Sequence, residues 1–409
     1  MVGRNLKVNI LIITQYFYPE NFKSNDLAFE LKSRGHDVTV LTGLPNYPEG
    51  KIFEKYGVFK NRKQTINGVK VVRSLLLPRG KGGGLRLFAN YYSFAFFASV
   101  KAFFLGLNNH FDAIIVHEPS PITQYYPALL INKIWKTPVY FWVMDLWPES
   151  LSIAGGVKNK FVLNYYTNVV KKFYTNSEKI LITSKGFRGA INEKGNFNDK
   201  IVYFPNWAED SISEGNKDFP IPPMPAGFKV MFAGNIGEAQ DLDNIMRAAL
   251  ELKDNKHIQF ILVGDGRKMP FVKEFVEQNN LNETVHIMGR FPVESMSSFF
   301  DKADVMLVTL KDDPIFNLTV PAKLQAYMSA SKPIVAMLNG EGSENVIDAD
   351  CGFIVPAGDY VSLSETILKA SLLSRDKLET LGQNSRSYYE RYFKMSACIS
   401  NLEDIMTNP

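Results

Sequence analysis

Short apolar runs recur along this chain, separated by amphipathic or polar stretches. The first is Lys7-Val8-Asn9-Ile10-Leu11-Ile12-Ile13. A loop over Thr14–Lys23 follows, then a helical pattern over Asn25–Arg34 stopped by Gly35, then the second run His36–Leu41. Strand, loop, helix and strand in that order form the repeating unit of parallel α/β sheets. The first loop contains no glycine, so it lacks the Gly-x-Gly-x-x-Gly dinucleotide fingerprint. Further strands are predicted at Val69–Ser74, Phe111–Val116, Thr137–Val143, Ile180–Thr183 and Ile201–Phe204, with residues 43–68 irregular. The polar, proline-containing stretch Asn206–Gly227 interrupts the pattern. It restarts with strands at Phe228–Phe232, Ile258–Val263, Val285–Met288, Val305–Thr309 and Pro333–Met337. Helices are predicted at Leu242–Leu250, Leu324–Ala330 and Tyr388–Ile405.

The expectation is an α/β protein with two doubly wound parallel-sheet domains, residues 1–205 and 206–385, and a C-terminal helix over 386–409. A length of 409 residues suits two domains of roughly 200 residues each. At 45% apolar and 13% aromatic residues, both can bury sizeable cores. The formal net charge of +4 favours an anionic ligand without demanding nucleic acid. The absence of a dense basic stretch argues against a nucleic-acid partner. The two cysteines, Cys351 and Cys398, and the lack of a His-x-x-x-His pair suggest neither a disulfide framework nor a metal site. They fit a reducing, cytoplasmic setting. The N-terminal residues lead straight into a four-residue apolar run, which is not a signal peptide. Neither a Walker loop nor Gly-x-Ser-x-Gly is found.

In parallel sheets, ligands sit beyond the C-terminal strand ends. Gly234-Asn235-Ile236-Gly237 and Gly264-Asp265-Gly266 follow two such strands. Each is either a tight turn or a place where a ligand approaches the backbone. Phe316–Lys323 precedes a helix, where Thr319 is a candidate cap, Pro321 suits the first turn, and Lys323 is either a surface lysine or a cation for a diphosphate. His117 directly follows Ala113–Val116, as a structural histidine or a donor to substrate. Asp145 lies between apolar Tyr140–Met144 and Leu146-Trp147-Pro148, where a carboxylate needs a partner, and Glu149 is nearby. It would orient a sugar hydroxyl or hold another loop. Tyr91–Leu107 carries one charge, Lys101, and follows Arg73, Arg79, Lys81 and Arg86. It reads equally as a buried helix or as one lying at an anionic membrane surface.

These residues together resemble a known family. Tyr16–Glu20, Leu31–Thr42, Pro45–Gly50, Asp145–Ser150 and Pro205-Asn206-Trp207 are similar to motifs of bacterial retaining glycosyltransferases of family 4, which have the two-domain GT-B fold. Within that family they resemble the O-antigen, capsule and colanic acid subgroup that includes the WbuB-like L-fucosamine transferases. The resemblance implies two Rossmann-like domains facing across a cleft, the first binding an acceptor and the second a nucleotide sugar. It implies a UDP-linked donor, a polyprenyl-diphosphate-linked saccharide acceptor, no other cofactor, and peripheral placement at the inner face of the membrane. Gly234–Gly237 would approach the diphosphate, Gly264–Gly266 and Arg290 would hold the nucleoside, and His117 would lie near the reacting centre. The chain departs from the pattern in four places. Asn235 and Gln240 stand where many members have basic residues. Leu318 and Ala326 stand where they have glutamates. A nucleotide-sugar epimerase of this fold, or a protein that binds the donor without turning it over, are the alternatives.

Overall fold

The computed structural model describes residues 7–80, 83–153, 156–208, 215 and 218–407. Lys81 and part of the 206–227 linker lie outside the described residues. The chain divides into two compact units. One comprises residues 1–183, 187–204 and 399–409, and the other residues 184–186 and 205–398.

Eight strands form the sheet of the first unit: β1 (Asn9–Ile13), β2 (Asp37–Thr42), β3 (Lys63–Ile66), β4 (Val69–Arg73), β5 (Ala113–Glu118), β6 (Val139–Val143), β7 (Lys179–Ile182) and β8 (Ile201–Tyr203), in the order β3-β4-β2-β1-β5-β6-β7-β8. β1 lies centrally, pairing Ile10 with Val38 on one side and with Ala113 on the other. Ile10–Ile13 are all fully buried, as expected of a strand covered on both faces. The sheet is parallel except at its edge, where β3 runs antiparallel to β4. The predicted irregular region therefore contains a hairpin. Its turn is Asn67-Gly68, both with positive φ (48° and 79°), the residue pair that two-residue hairpin turns favour.

The second sheet contains β9 (Phe228–Ala233), β10 (Ile258–Val263), β11 (Val285–Gly289), β12 (Val305–Thr309), β13 (Ile334–Met337) and β14 (Gly352–Val355), in the order β11-β10-β9-β12-β13-β14. All its pairings are parallel. Helices Leu242–Glu251, Met269–Gln278 and Tyr360–Ser371 cover it with Leu242, Ile245, Val272, Val276, Leu363 and Ile367. The single C-terminal helix predicted from sequence is two, Arg375–Tyr392 and Met395–Thr407. In the latter, Glu403 accepts from Arg34 Nη1 at 2.9 Å and pairs with His36 Nε2 at 2.8 Å, within the first unit.

Candidate functional site

In the second unit, three strands of the sheet end together and their loops surround a cavity of about 510 Å³. It is lined by Gly234, Asn235, Gly264, Asp265, Gly266 and Arg290, with Phe291 and Met296 behind them. The glycines allow this closeness. A Cβ on Gly264, which has φ +136°, would overlap the carbonyl oxygen of Gly234, and one on Gly234, with φ +135°, would lie 2.6 Å from Lys323 Cε. Ile236 turns into the core, fully buried. Its N–H donates to Asp265 at 2.9 Å and its carbonyl accepts from Lys268 at 3.0 Å, so it ties the two glycine turns together. Gly237 is buried as well.

Lys323 comes to this cavity from the helix Ala322–Ser329. One turn later, Tyr327 Oη donates to the carbonyl of Ala233 and accepts from its N–H, both at 2.8 Å. That clamp holds the helix start against the end of β9. The ammonium of Lys323 donates to Gln240 Oε1 at 2.6 Å and lies 3.7 Å from the centre of the Phe232 ring. Part of the side chain stays exposed, yet burial around the ammonium lowers its pKa to about 7. A glycine turn and a desolvated lysine beside it suit an anion. Lys311 and Arg247 are engaged elsewhere. Lys311 pairs with Glu238 at 3.0 Å, and Arg247 stacks on Tyr360.

The loop before the helix differs from expectation. Pro314–Asn317 forms a short helix, capped by Asp313, whose carboxylate accepts from Ile315 N at 2.9 Å. Thr319 does not cap the next helix, because its hydroxyl donates back to Phe316 O at 3.0 Å, and Pro321 occupies the capping position without a side-chain bond. A 3₁₀ turn over Glu238–Gln240 also separates the glycine turn from the helix Leu242–Glu251, and this turn is what carries Gln240 to Lys323.

A polar cluster in the first unit forms at the ends of β1, β5 and β6. His117 is the fifth residue of β5 rather than its successor, paired with Trp142 in register. Its ring lies 4.8 Å from that of Trp142, and Nδ1 is 3.4 Å from Thr14 Oγ1. Burial, with the charge of Lys23, lowers its pKa to about 3, so it is neutral in use. Nε2 has no hydrogen-bond partner among the described residues. Asp145 accepts from Ser120 Oγ at 2.7 Å, which in turn accepts from Trp147 Nε1 at 3.0 Å. Burial raises the Asp145 pKa, and the Ser120 bond opposes this.

Glu149 is not the second carboxylate of this cluster, since it takes Lys194 Nζ at 2.6 Å. That place belongs to Glu118, which the sequence reading missed. Glu118 is fully buried and its pKa is well above the ordinary value, through burial first and the charge of Asp145 second. The backbone amides of Asp145, Ser120 and Met144 face its carboxyl and oppose the shift, but none closes a hydrogen bond of good geometry. Nearby, Glu20 joins two loop motifs by accepting from Asn46 N at 2.9 Å and Tyr47 N at 2.7 Å.

Two family models match the chain: a glycosyl transferase 4-like domain over residues 24–207 and the glycosyl transferases group 1 domain over residues 227–371. The chain belongs to the glycosyltransferases. Its fold is GT-B, as in solved structures that cover nearly all of it. A glycosyltransferase from Rickettsia africae has a TM-score of 0.69, with 14% identity, over 99% of this chain and 100% of that one. Anabaena HepE, solved with UDP, has a TM-score of 0.68, with 14% identity, over 98% and 100%. Among curated relatives, the probable glycosyltransferase WbjE of Pseudomonas aeruginosa is 28% identical over 64% of this chain and 68% of its own length. The putative colanic acid biosynthesis glycosyl transferase WcaI of Escherichia coli K12 is 25% identical over 72% and 73%.

Set against the family pattern, this glycosyltransferase shows a rearranged cation. Position 240, where many members have a basic residue, holds Gln240. Its amide oxygen instead holds the ammonium that arrives from position 323.

Proposed function

We propose that this glycosyltransferase moves a sugar from a UDP-linked donor to a polyprenyl-diphosphate-linked saccharide in O-antigen, capsule or exopolysaccharide assembly at the cytoplasmic face of the membrane. The anomeric configuration is retained, and the sugar is N-acetyl-L-fucosamine or a related N-acetylated deoxy sugar. The observation that carries the reading is Lys323, held beside Gly234 at a cavity walled by glycine turns. The names of WbjE and WcaI and the UDP in HepE support it.

In this reading the diphosphate lies along Gly234–Gly237 and the nucleoside between Gly264–Gly266 and Arg290. Bond cleavage builds negative charge on the departing diphosphate. A cation and backbone N–H groups already placed there stabilise it without reorganisation. The departing phosphate accepts the acceptor hydroxyl's proton, so no protein nucleophile is required. His117, neutral and with Nε2 unbonded, is a hydrogen-bonding group for a sugar hydroxyl. Asp145, oriented by Ser120, orders the acceptor.

A screen of nucleotide sugars for thermal stabilisation, followed by transfer to a short polyprenyl-diphosphate saccharide, tests this. A stabilising UDP-sugar that yields an elongated lipid product is expected. Stabilisation by no nucleotide sugar would contradict the reading. Leu318 and Ala326, standing at the family's glutamate positions, favour a second reading as a donor-binding protein without turnover. Calorimetric binding with no product would select it.

A further inference from the structure

The helix Gly84–Asn108 has two very different faces. Asn90, Phe94, Ala95, Ala98 and Ala102 are buried, and the helix packs on Tyr126–Trp135. Tyr92, Phe96, Val100, Phe104 and Leu107 face solvent instead, Phe96 at 64% and Phe104 at 56% exposure. Their spacing of three or four residues makes one stripe along the helix. The helix Lys160–Asn176 extends it with Phe161, 87% exposed, and Tyr165. The two helices are joined by Tyr92 Oη and Tyr166 Oη at 2.9 Å. Isolated exposed apolar residues are ordinary, but a continuous aromatic stripe marks an interaction surface.

The charge around it has one sign. From Lys55 to Phe111 the sequence contains ten basic residues and no acidic one, and Lys160–Asn176 adds three lysines and no acid. Lys101, on the same helix, has its ammonium pKa lowered by burial and then by the like charges of Arg62 and Lys63.

We propose that this face docks on the surface of an anionic lipid bilayer, with Phe96, Phe104 and Phe161 inserted among the acyl chains. No helix among the described residues is long and apolar enough to cross a membrane, so the helix lies in the interface. An aromatic stripe within a cationic surround is complementary to anionic lipid. A symmetric contact with a second copy would bring two acid-free segments together and repel. The inference goes beyond the transfer reaction, and the binding it describes requires neither donor nor acceptor.

The test is cosedimentation of the full chain with vesicles of phosphatidylglycerol and phosphatidylcholine in equal parts, and of phosphatidylcholine alone. Binding to the anionic vesicles is expected, with partitioning lower by about tenfold on neutral vesicles and weakened by salt. The triple variant Phe96→Ser, Phe104→Ser, Phe161→Ser is expected to lose about tenfold in partitioning at unchanged Tm, since the three side chains are exposed. A second readout needs no variant. Trp135 lies 5.9 Å from Phe103, while Trp142, Trp147 and Trp207 are buried, so brominated phosphatidylglycerol should quench Trp135 fluorescence. Absence of wild-type binding, equal binding by the triple variant, or absence of quenching overturns the proposal. So does a wild-type dimer that the triple variant dissolves, which would assign the face to a second copy.

Discussion

Lys323 is the residue on which the donor site depends, and its environment makes a pH prediction. With a pKa near 7, its amine is mostly neutral at pH 8 when the site is empty. A bound diphosphate favours the charged form and raises the pKa again. Calorimetry of UDP-sugar binding at pH 8 in buffers of different ionisation enthalpy should therefore show uptake of up to about one proton, and Lys323→Ala should show none. Glu118 carries a second prediction of the opposite kind. Its folded pKa lies above the unfolded one, so between the two the unfolded chain is the more ionised and stability falls as pH rises. Glu118→Gln removes that loss. Its Tm relative to wild type should climb between pH 5 and pH 8, and a constant difference would show that the carboxyl is not held protonated. Neither residue's setting was legible from sequence. Lys323 was found as a lysine at a helix start, but its partner is 83 positions away. Glu118, in the middle of a His-Glu-Pro run, gave no signal beyond being a carboxylate at the end of an apolar strand.

Elements were legible where periodicity was strong. The buried runs of β1, β9, β10 and β12 announced themselves because strands covered on both faces are nearly all apolar. β3 escaped because its Lys-Gln-Thr-Ile lies at an edge with alternating exposure, although the Asn67-Gly68 turn signals a hairpin. The C-terminal helix was drawn as one because nothing in Phe393-Lys394 is a helix breaker. The break comes from packing, since Phe393 is fully buried. Two glycine substitutions separate what a turn requires from what a helix tolerates. Gly189 lies in the helix Phe187–Asn192 with open space at its Cβ position, so Gly189→Ala should stabilise by about 0.5–1 kcal/mol. Gly264→Ala, whose methyl would meet the Gly234 carbonyl, should destabilise by about 2 kcal/mol or more and abolish nucleotide-sugar binding. Denaturant titration of both variants checks this, and equal effects would refute the reading of the glycine turns.

At the scale of the whole molecule, the two restarts of the strand pattern correspond to two sheets, and both sheets keep their functional candidates on strand ends and the adjoining loops. The family motifs were legible because loop residues such as Glu20, which joins two loops through its carboxylate, are held by contacts that fix identity as well as polarity. The cation at the donor cavity was not, because the family's usual position for it is filled by Gln240 and the charge enters from another element. This substitution is the central claim. The most direct test is the rate of sugar transfer to a polyprenyl-diphosphate acceptor by wild type and Lys323→Ala, with their Tm values measured alongside. Loss of one electrostatic group aimed at developing charge should lower kcat/KM by about 10²–10³ with Tm unchanged or higher, since a desolvated amine is removed. A Lys323→Ala enzyme as active as wild type would contradict the account.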